Sequence, residues 1–510
     1  MPISKYLIIL CLSIDISRPA SGEPADFISA GPLYDEFSLT LSPGHRTEAL
    51  GPFFSCEQKD SQHQWAVPPL FSHTVDPETD FEEFDLAYPL LTYDRFGAEY
   101  RFQLFQLLSF AGGQNQDENS SRRFSLFPLY FQQRSPDPTQ NYTAVFPFYG
   151  KLRNRLFRSE IDFLMWPLYM RTKRRPAATT AVADDPFLAL PHRYQQAQRG
   201  DITTYNFMYP FFHLRYGEGL EGWQLWPLSG YERKEITTKT NEWDDVETIP
   251  GEEKRFVLWP FFFDWNREIG TDNPEHQQVL LPFYSYLRSP QRDSTSYLWP
   301  LFTFTDDRAR KYREWGAPWP LIGVARGEGK TTTRFWPLFS RAHNTNLQSD
   351  FYLWPLYKYN RLHSEPLDRE RTRILFFLYS EVTEQNTATG DALRRKDLWP
   401  LFTYRRDFSG NERLQVLSVL EPLLPNNKSI ERDYSPLWSL WRSEKNATTG
   451  ATSQSLLWNL YRRDTTPDTK KCSLLFGLFQ YQSGTHDKHW RLFYVPFGKA
   501  ESRPKTPSGP

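Results

Sequence analysis

Cysteine is almost missing from this chain. Cys11, Cys56 and Cys472 are the only three in 510 residues, and they lie far apart. That spacing excludes a disulfide-stapled scaffold and a sequence-local metal cluster. Cys56 and Cys472 read as two lone thiols, though a bond between them is compatible with the sequence. A surplus of positive charge is missing too, since 60 lysines and arginines face 61 aspartates and glutamates. Nucleic-acid binders normally carry a basic excess or face, so no nucleic acid is expected as a partner. Nowhere do eighteen apolar residues run together, as a membrane-crossing helix requires. No window keeps a convincing 3.6-residue hydrophobic period either, so few helices are expected.

What is abundant is aromatic. Phe, Trp and Tyr make up 16% of the chain, and there are 40 prolines, while apolar residues as a whole reach only 39%. Hydrophobicity concentrated in rings suits strands more than helices. The N-terminal residues 1–22 read as an export signal: Lys5, an apolar core from Tyr6 to Ile14, then the small residues Ala20-Ser21-Gly22. Residues 499–510 are polar and proline-rich, and read as a disordered tail.

Between these ends, residues 23–498 form one repetitive domain. Its unit is seen best in Leu298-Trp299-Pro300-Leu301-Phe302, Phe335-Trp336-Pro337-Leu338-Phe339, Leu353-Trp354-Pro355-Leu356-Tyr357 and Leu398-Trp399-Pro400-Leu401-Phe402. Aligned on the proline, with Gln106, Phe377, Ser439, Asn459 and Gly477 standing in the slot elsewhere, about 24 units recur at a mean spacing of about 20 residues. Glycine-containing reversals such as Gly217-Glu218-Gly219 and Gly327-Glu328-Gly329 separate aromatic arms, which predicts antiparallel hairpins. On this reading each motif lies within a strand, and each interval holds one reversal.

Alternation suggests where such strands would sit. Leu398, Pro400, Phe402 and Tyr404 share one face, with Thr403 and Arg405 opposite; Lys358 opposes Pro355, Tyr357 and Tyr359. An apolar, aromatic face backed by a polar one matches transmembrane strands. The expected fold is therefore an all-β antiparallel meander, closed into an outer-membrane-type barrel of about 24 strands with Arg405 and Lys358 lining a wet lumen. On that basis an arginine at Phe402 should cost more than one at Thr403. A β-solenoid with the prolines at its corners and a β-propeller are the alternatives.

Motifs of catalysis do not hold up under inspection. Gly217-Glu218-Gly219-Leu220-Glu221-Gly222 fits a dinucleotide fingerprint, but a strand follows it where a helix is required. Gly329-Lys330-Thr331 lacks the first glycine of a phosphate loop, because Val324 stands there. His486 and His489 have no further ligand nearby. Arg171–Arg175 reads as a basic loop shoulder and Asn241–Glu247 as an exposed acidic loop. No catalytic, cofactor-binding or metal-binding residue is assigned, no cofactor is expected, and the chain does not read as an enzyme. The expectation is an exported outer-membrane barrel acting as a channel, transporter or assembly scaffold, its partners being membrane lipid and the barrel-assembly machinery. A soluble periplasmic or secreted β-repeat protein for binding or adhesion is the competing expectation.

Overall fold

A computed structural model describes residues 28–497 except 30, 115–119, 156–157, 175–201, 218, 241–245 and 485–487. The expected signal segment, the tail, His486 and the weak unit near Pro186 fall outside these described residues.

The regular structure of the described chain is nearly all strand. Forty-four strands form one sheet, and the other two form a small hairpin, Thr237–Thr240 with Val246–Ile249. Every pairing is antiparallel, and each strand pairs with the next in sequence, except that Ser229–Lys234 skips that hairpin to reach Gly251–Val257. The terminal strands Ile28–Ser29 and Val495–Phe497 are each bonded to one neighbour only, so the sheet is not closed by a strand ladder.

The motif is the turn, not the strand. Leu353 to Leu356 reverses the chain, with the strand Leu347–Tyr352 ending before it and Tyr357–Ser364 starting after it. Leu356 N–H donates to the Leu353 carbonyl at 2.7 Å. The Trp354–Pro355 bond is cis, which places proline third in a type VI turn. This resolves how so many prolines live in a sheet: a residue without N–H stands where the ladder asks for none. Each interval of about 20 residues therefore contains two strands and two reversals, and the strand number is nearly double the expected 24. Most strands run five to eight residues. A tilted membrane span needs roughly nine to eleven.

The alternation itself is as expected. Asp397 pairs with Thr403 and Arg395 with Arg405 on one face, while Leu398 pairs with Phe402 on the other. The first face is the inner one. It carries the apolar cluster Tyr142, Ala144, Leu152, Ile161 and Phe163, a second cluster of Phe256, Phe263 and Val279, and buried polar residues such as Thr74, Thr305 and Gln415. At these positions the inner face is packed, which corrects the expectation of a wet lumen there.

Leu417 to Leu440 is the largest departure from the repeat. Leu417 N–H bonds the Leu401 carbonyl and Leu457 N–H bonds the Leu440 carbonyl, as in an ordinary motif turn. Between them an insertion folds onto the inner face, with the helices Lys428–Asp433 and Ser435–Trp438. The Asn427 side chain caps the first helix by accepting from Ile430 N–H at 3.0 Å. Pro422 and Ser439 thus belong to one inserted plug and are not separate units.

No disulfide joins Cys56 to Cys472. A peptide linking residues 56 and 472 is therefore expected to be absent from a non-reducing digest of the folded protein.

Candidate functional site: the motif edge and the seam

The described motif turns lie along one edge of the ribbon, and their chemistry differs from that of the other edge. In the turn Leu353–Leu356, Leu353 N–H donates to the Leu338 carbonyl of the preceding motif turn at 2.5 Å. Trp354 N–H donates to the Pro337 carbonyl at 2.8 Å, Leu356 N–H is bonded within the turn, and Pro355 has no N–H to satisfy. The turns Met165–Leu168, Met208–Phe211 and Leu258–Phe261 repeat this arrangement donor for donor. Reversals exposed on a surface normally lean on water for such donors. Here they are bonded from turn to turn.

The side chains on this edge point outward without cover. Leu298 is 50% exposed, Leu353 54% and Leu258 55%, with Trp299, Leu301, Leu338 and Leu356 all above 40%. The first outer-face rows beside them are aromatic: Tyr297 and Phe302, Tyr352 and Tyr357. With a strand rise of about 3.3 Å per residue, the turn and the first outer row make an apolar belt about 7 Å deep, and charges enter at the second row, where Asp350 pairs with Tyr359 and Glu381 with Lys396. At the opposite edge, side-chain acceptors close the turns. Asn386 Oδ1 accepts from Ala388 N–H at 2.9 Å, and Asn446 Oδ1 accepts from Thr448 N–H at 2.9 Å. Exposed ion pairs surround them, among them Lys311–Glu328 at 2.9 Å and Arg361–Asp368 at 2.6 Å.

The plug joins the two ends of the ribbon. Arg432 reaches from its helix to the inner face of Phe81–Leu86, where its Nη2 lies 2.5 Å from Asp85 and 3.2 Å from Glu83. Its Nη1 donates to Thr74 Oγ1 at 3.0 Å, and its Nε lies 3.2 Å from Asp433. Tyr434 donates to the Tyr88 carbonyl at 2.7 Å, and Asn459 donates to Glu48 at 3.0 Å. One guanidinium thus serves three carboxylates. Burial pushes the Asp85 carboxyl up from 3.8 to about 6, against the opposing pull of Ser429 and Arg432. Burial also raises Asp433. At the motif edge Phe53 packs edge-on against Trp458 at 5.6 Å, and Gly31 sits where a Cβ would lie 2.3 Å from Tyr494 Oη.

Thr403 faces inward as expected, but beneath the plug: it is 5% exposed and its hydroxyl donates to Ser418 Oγ at 2.9 Å. An arginine there would carry its charge into a packed space. Thr403→Arg is now expected to cost about 2 kcal/mol or more and Phe402→Arg less in water, the reverse of the order a wet lumen implies. Urea unfolding of both variants measures it. Arg405 shares the inner face, its Nη1 3.5 Å from Glu431 of the plug. Lys358 shares that face with Arg373.

The other sequence candidates are dispersed. Gly217 and Leu220 close a hairpin, and Lys330–Phe335 is a strand, so neither phosphate-loop likeness has a helix behind it. Arg171 lies in the strand Tyr169–Arg174 and pairs with Glu160 and Asp162, which corrects the loop reading of that part of the run. His489 is in a strand and exposed. Of the acidic loop, Val246 and Glu247 lie in a strand and residues 241–245 are outside the described set. Among the described residues no group of three or more His, Cys, Asp or Glu could hold a metal ion, and no helix is long and apolar enough to cross a membrane. The chain matches no known protein family and no curated protein. The missed feature is the turn-to-turn ladder. Its signal was the proline itself, whose lack of an N–H fits a reversal better than a strand.

Proposed function

We propose that this is an exported membrane-associated scaffold that seats its motif edge in a lipid layer and leaves its polar edge in water. The observation that carries this reading is the motif turn: in turns such as Leu353–Leu356 and Leu258–Phe261 each donor is bonded to the neighbouring turn, bonded within the turn or replaced by proline, while Leu, Trp and Phe stand uncovered. Hydrocarbon has no water to satisfy stray backbone donors, so an edge entering it must close its own hydrogen bonds. A belt of about 7 Å enters one leaflet of a hydrocarbon core about 30 Å thick and does not cross it. The outer membrane remains the proposed location, and lipid the proposed partner. A scaffold suits the packed inner face and plug better than an open channel.

The competing reading, a soluble β-repeat protein for binding or adhesion, draws on the short strands and on the polar edge. Flotation with phosphatidylcholine vesicles, some carrying brominated acyl chains, separates the two. Co-flotation and quenching of tryptophan fluorescence are expected; protein that stays at the bottom without detergent, its fluorescence unchanged, rejects lipid seating.

A further inference from the structure

On the inner face most arginines near the plug have a carboxylate to themselves. Arg395 holds Asp397 at 2.8 Å, Arg413 holds Glu421 at 2.7 Å and Arg462 holds Asp464 at 2.8 Å. The strands Tyr357–Ser364 and Leu367–Ile374 break this habit. Lys358 lies directly opposite Arg373, and Arg371 is two residues along on the same face. Like charges directly opposed across an antiparallel pair are destabilising.

No ion pair or hydrogen bond to these three side chains is present among the described residues. The Nε atoms of both Arg371 and Arg373 are buried without a hydrogen-bond partner. Of the acidic groups on the surrounding inner face, Glu384 is held by Arg369 at 2.9 Å, and Asp397 is held by Arg395 through one oxygen while its other oxygen has no hydrogen-bond partner and its charge attracts Arg371 from a distance. The remaining cross-strand neighbours are Phe351, Asn360, Val382 and Ser380. Burial, with Arg373 and Arg369 beside it, pulls the Arg371 guanidinium down to about 10.

We propose that Lys358, Arg371 and Arg373 form a binding site for a phosphate group. Opposed residues lie about 5 Å apart and alternate residues about 7 Å apart, so three cationic heads can converge on one tetrahedral oxyanion. Guanidinium groups offer paired donors to phosphate oxygens, and the unpartnered Nε atoms lie in those forks. Asn360 and Ser380 add neutral polar neighbours. The same chemistry would accept free phosphate or the phosphomonoester headgroup of a lipid.

The test uses the full chain in neutral detergent, with inorganic phosphate, dihexanoyl phosphatidic acid and dihexanoyl phosphatidylcholine as separate probes, each balanced with sodium chloride. Isothermal titration and the shift in thermal midpoint are read for the native chain, for R371Q/R373Q, and for R326Q on the outer face. Phosphate should bind and raise the midpoint of the native chain and of R326Q. In R371Q/R373Q affinity should fall at least tenfold, while its midpoint without phosphate is equal to or above the native value, because like-charge repulsion is relieved. Tighter binding of phosphatidic acid than of phosphate, with none of phosphatidylcholine, marks a lipid headgroup as the source; equal affinity marks free phosphate. No heat and no midpoint shift with the native chain, or an equal response in R371Q/R373Q, overturns the site. Either result leaves the seating of the motif edge untouched.

Discussion

Arg432→Ala is expected to lower the stability of the folded protein by about 3–5 kcal/mol, the cost of breaking a buried charge network from one side. Among the described residues the arginine is the only cation paired with Glu83, Asp85 and Asp433, and it belongs to the plug while two of the acids belong to the other end of the sheet. Removing it leaves negative groups facing one another where Asp85 and Asp433 are each 1% exposed. The ends should part, and urea unfolding should show an early transition that the native chain lacks. An unchanged urea midpoint would show that the seam contributes nothing to stability.

The same network sets a pH dependence of defined sign. Because burial raises Asp85 from 3.8 to about 6, the folded chain holds that proton more tightly than the unfolded chain. Its contribution is complete below about pH 4 and is lost as the pH climbs through 6, a change of about 3 kcal/mol at 1.36 kcal/mol per unit. Urea midpoints of the native chain and of Asp85→Asn, compared between pH 4.5 and 7.5, should differ in slope over that window.

The second large effect concerns lipid. Replacing Leu301, Leu338 and Leu356 together by lysine is expected to reduce vesicle binding at least a thousandfold, at about 2 kcal/mol per charge carried below the interface. All three stand at the last position of a motif turn and are more than 40% exposed. Substitutions at such uncovered positions usually change stability by no more than about 0.5 kcal/mol. The triple variant should therefore keep its urea midpoint and far-ultraviolet spectrum while failing to float with vesicles. Ala388→Lys, on the polar edge, should float as the native chain does. Flotation of the triple variant at native strength would show that the motif edge does not enter lipid.

Much of this architecture is legible in the residues alone. The recurrence of Trp-Pro-Leu at about 20-residue intervals, the scarcity of helical periodicity and the alternation through Phe402, Thr403, Tyr404 and Arg405 determine a repetitive antiparallel sheet with one small or polar face. These are local properties, set by side-chain period and turn chemistry. Reading the motif as a strand halved the strand number, because a short aromatic run looks alike in a strand and in a tight reversal. Only the tertiary structure decided the rest. Turn-to-turn bonds such as Trp354 to Pro337 join residues of successive units, and sequence alone does not reveal which carbonyl a neighbouring turn presents. The meeting of Arg432 with Asp85, almost 350 positions away, depends on the curvature accumulated over the whole ribbon. Each strand pair adds a small twist, and the sum of those angles, which no single repeat contains, brings the two ends face to face.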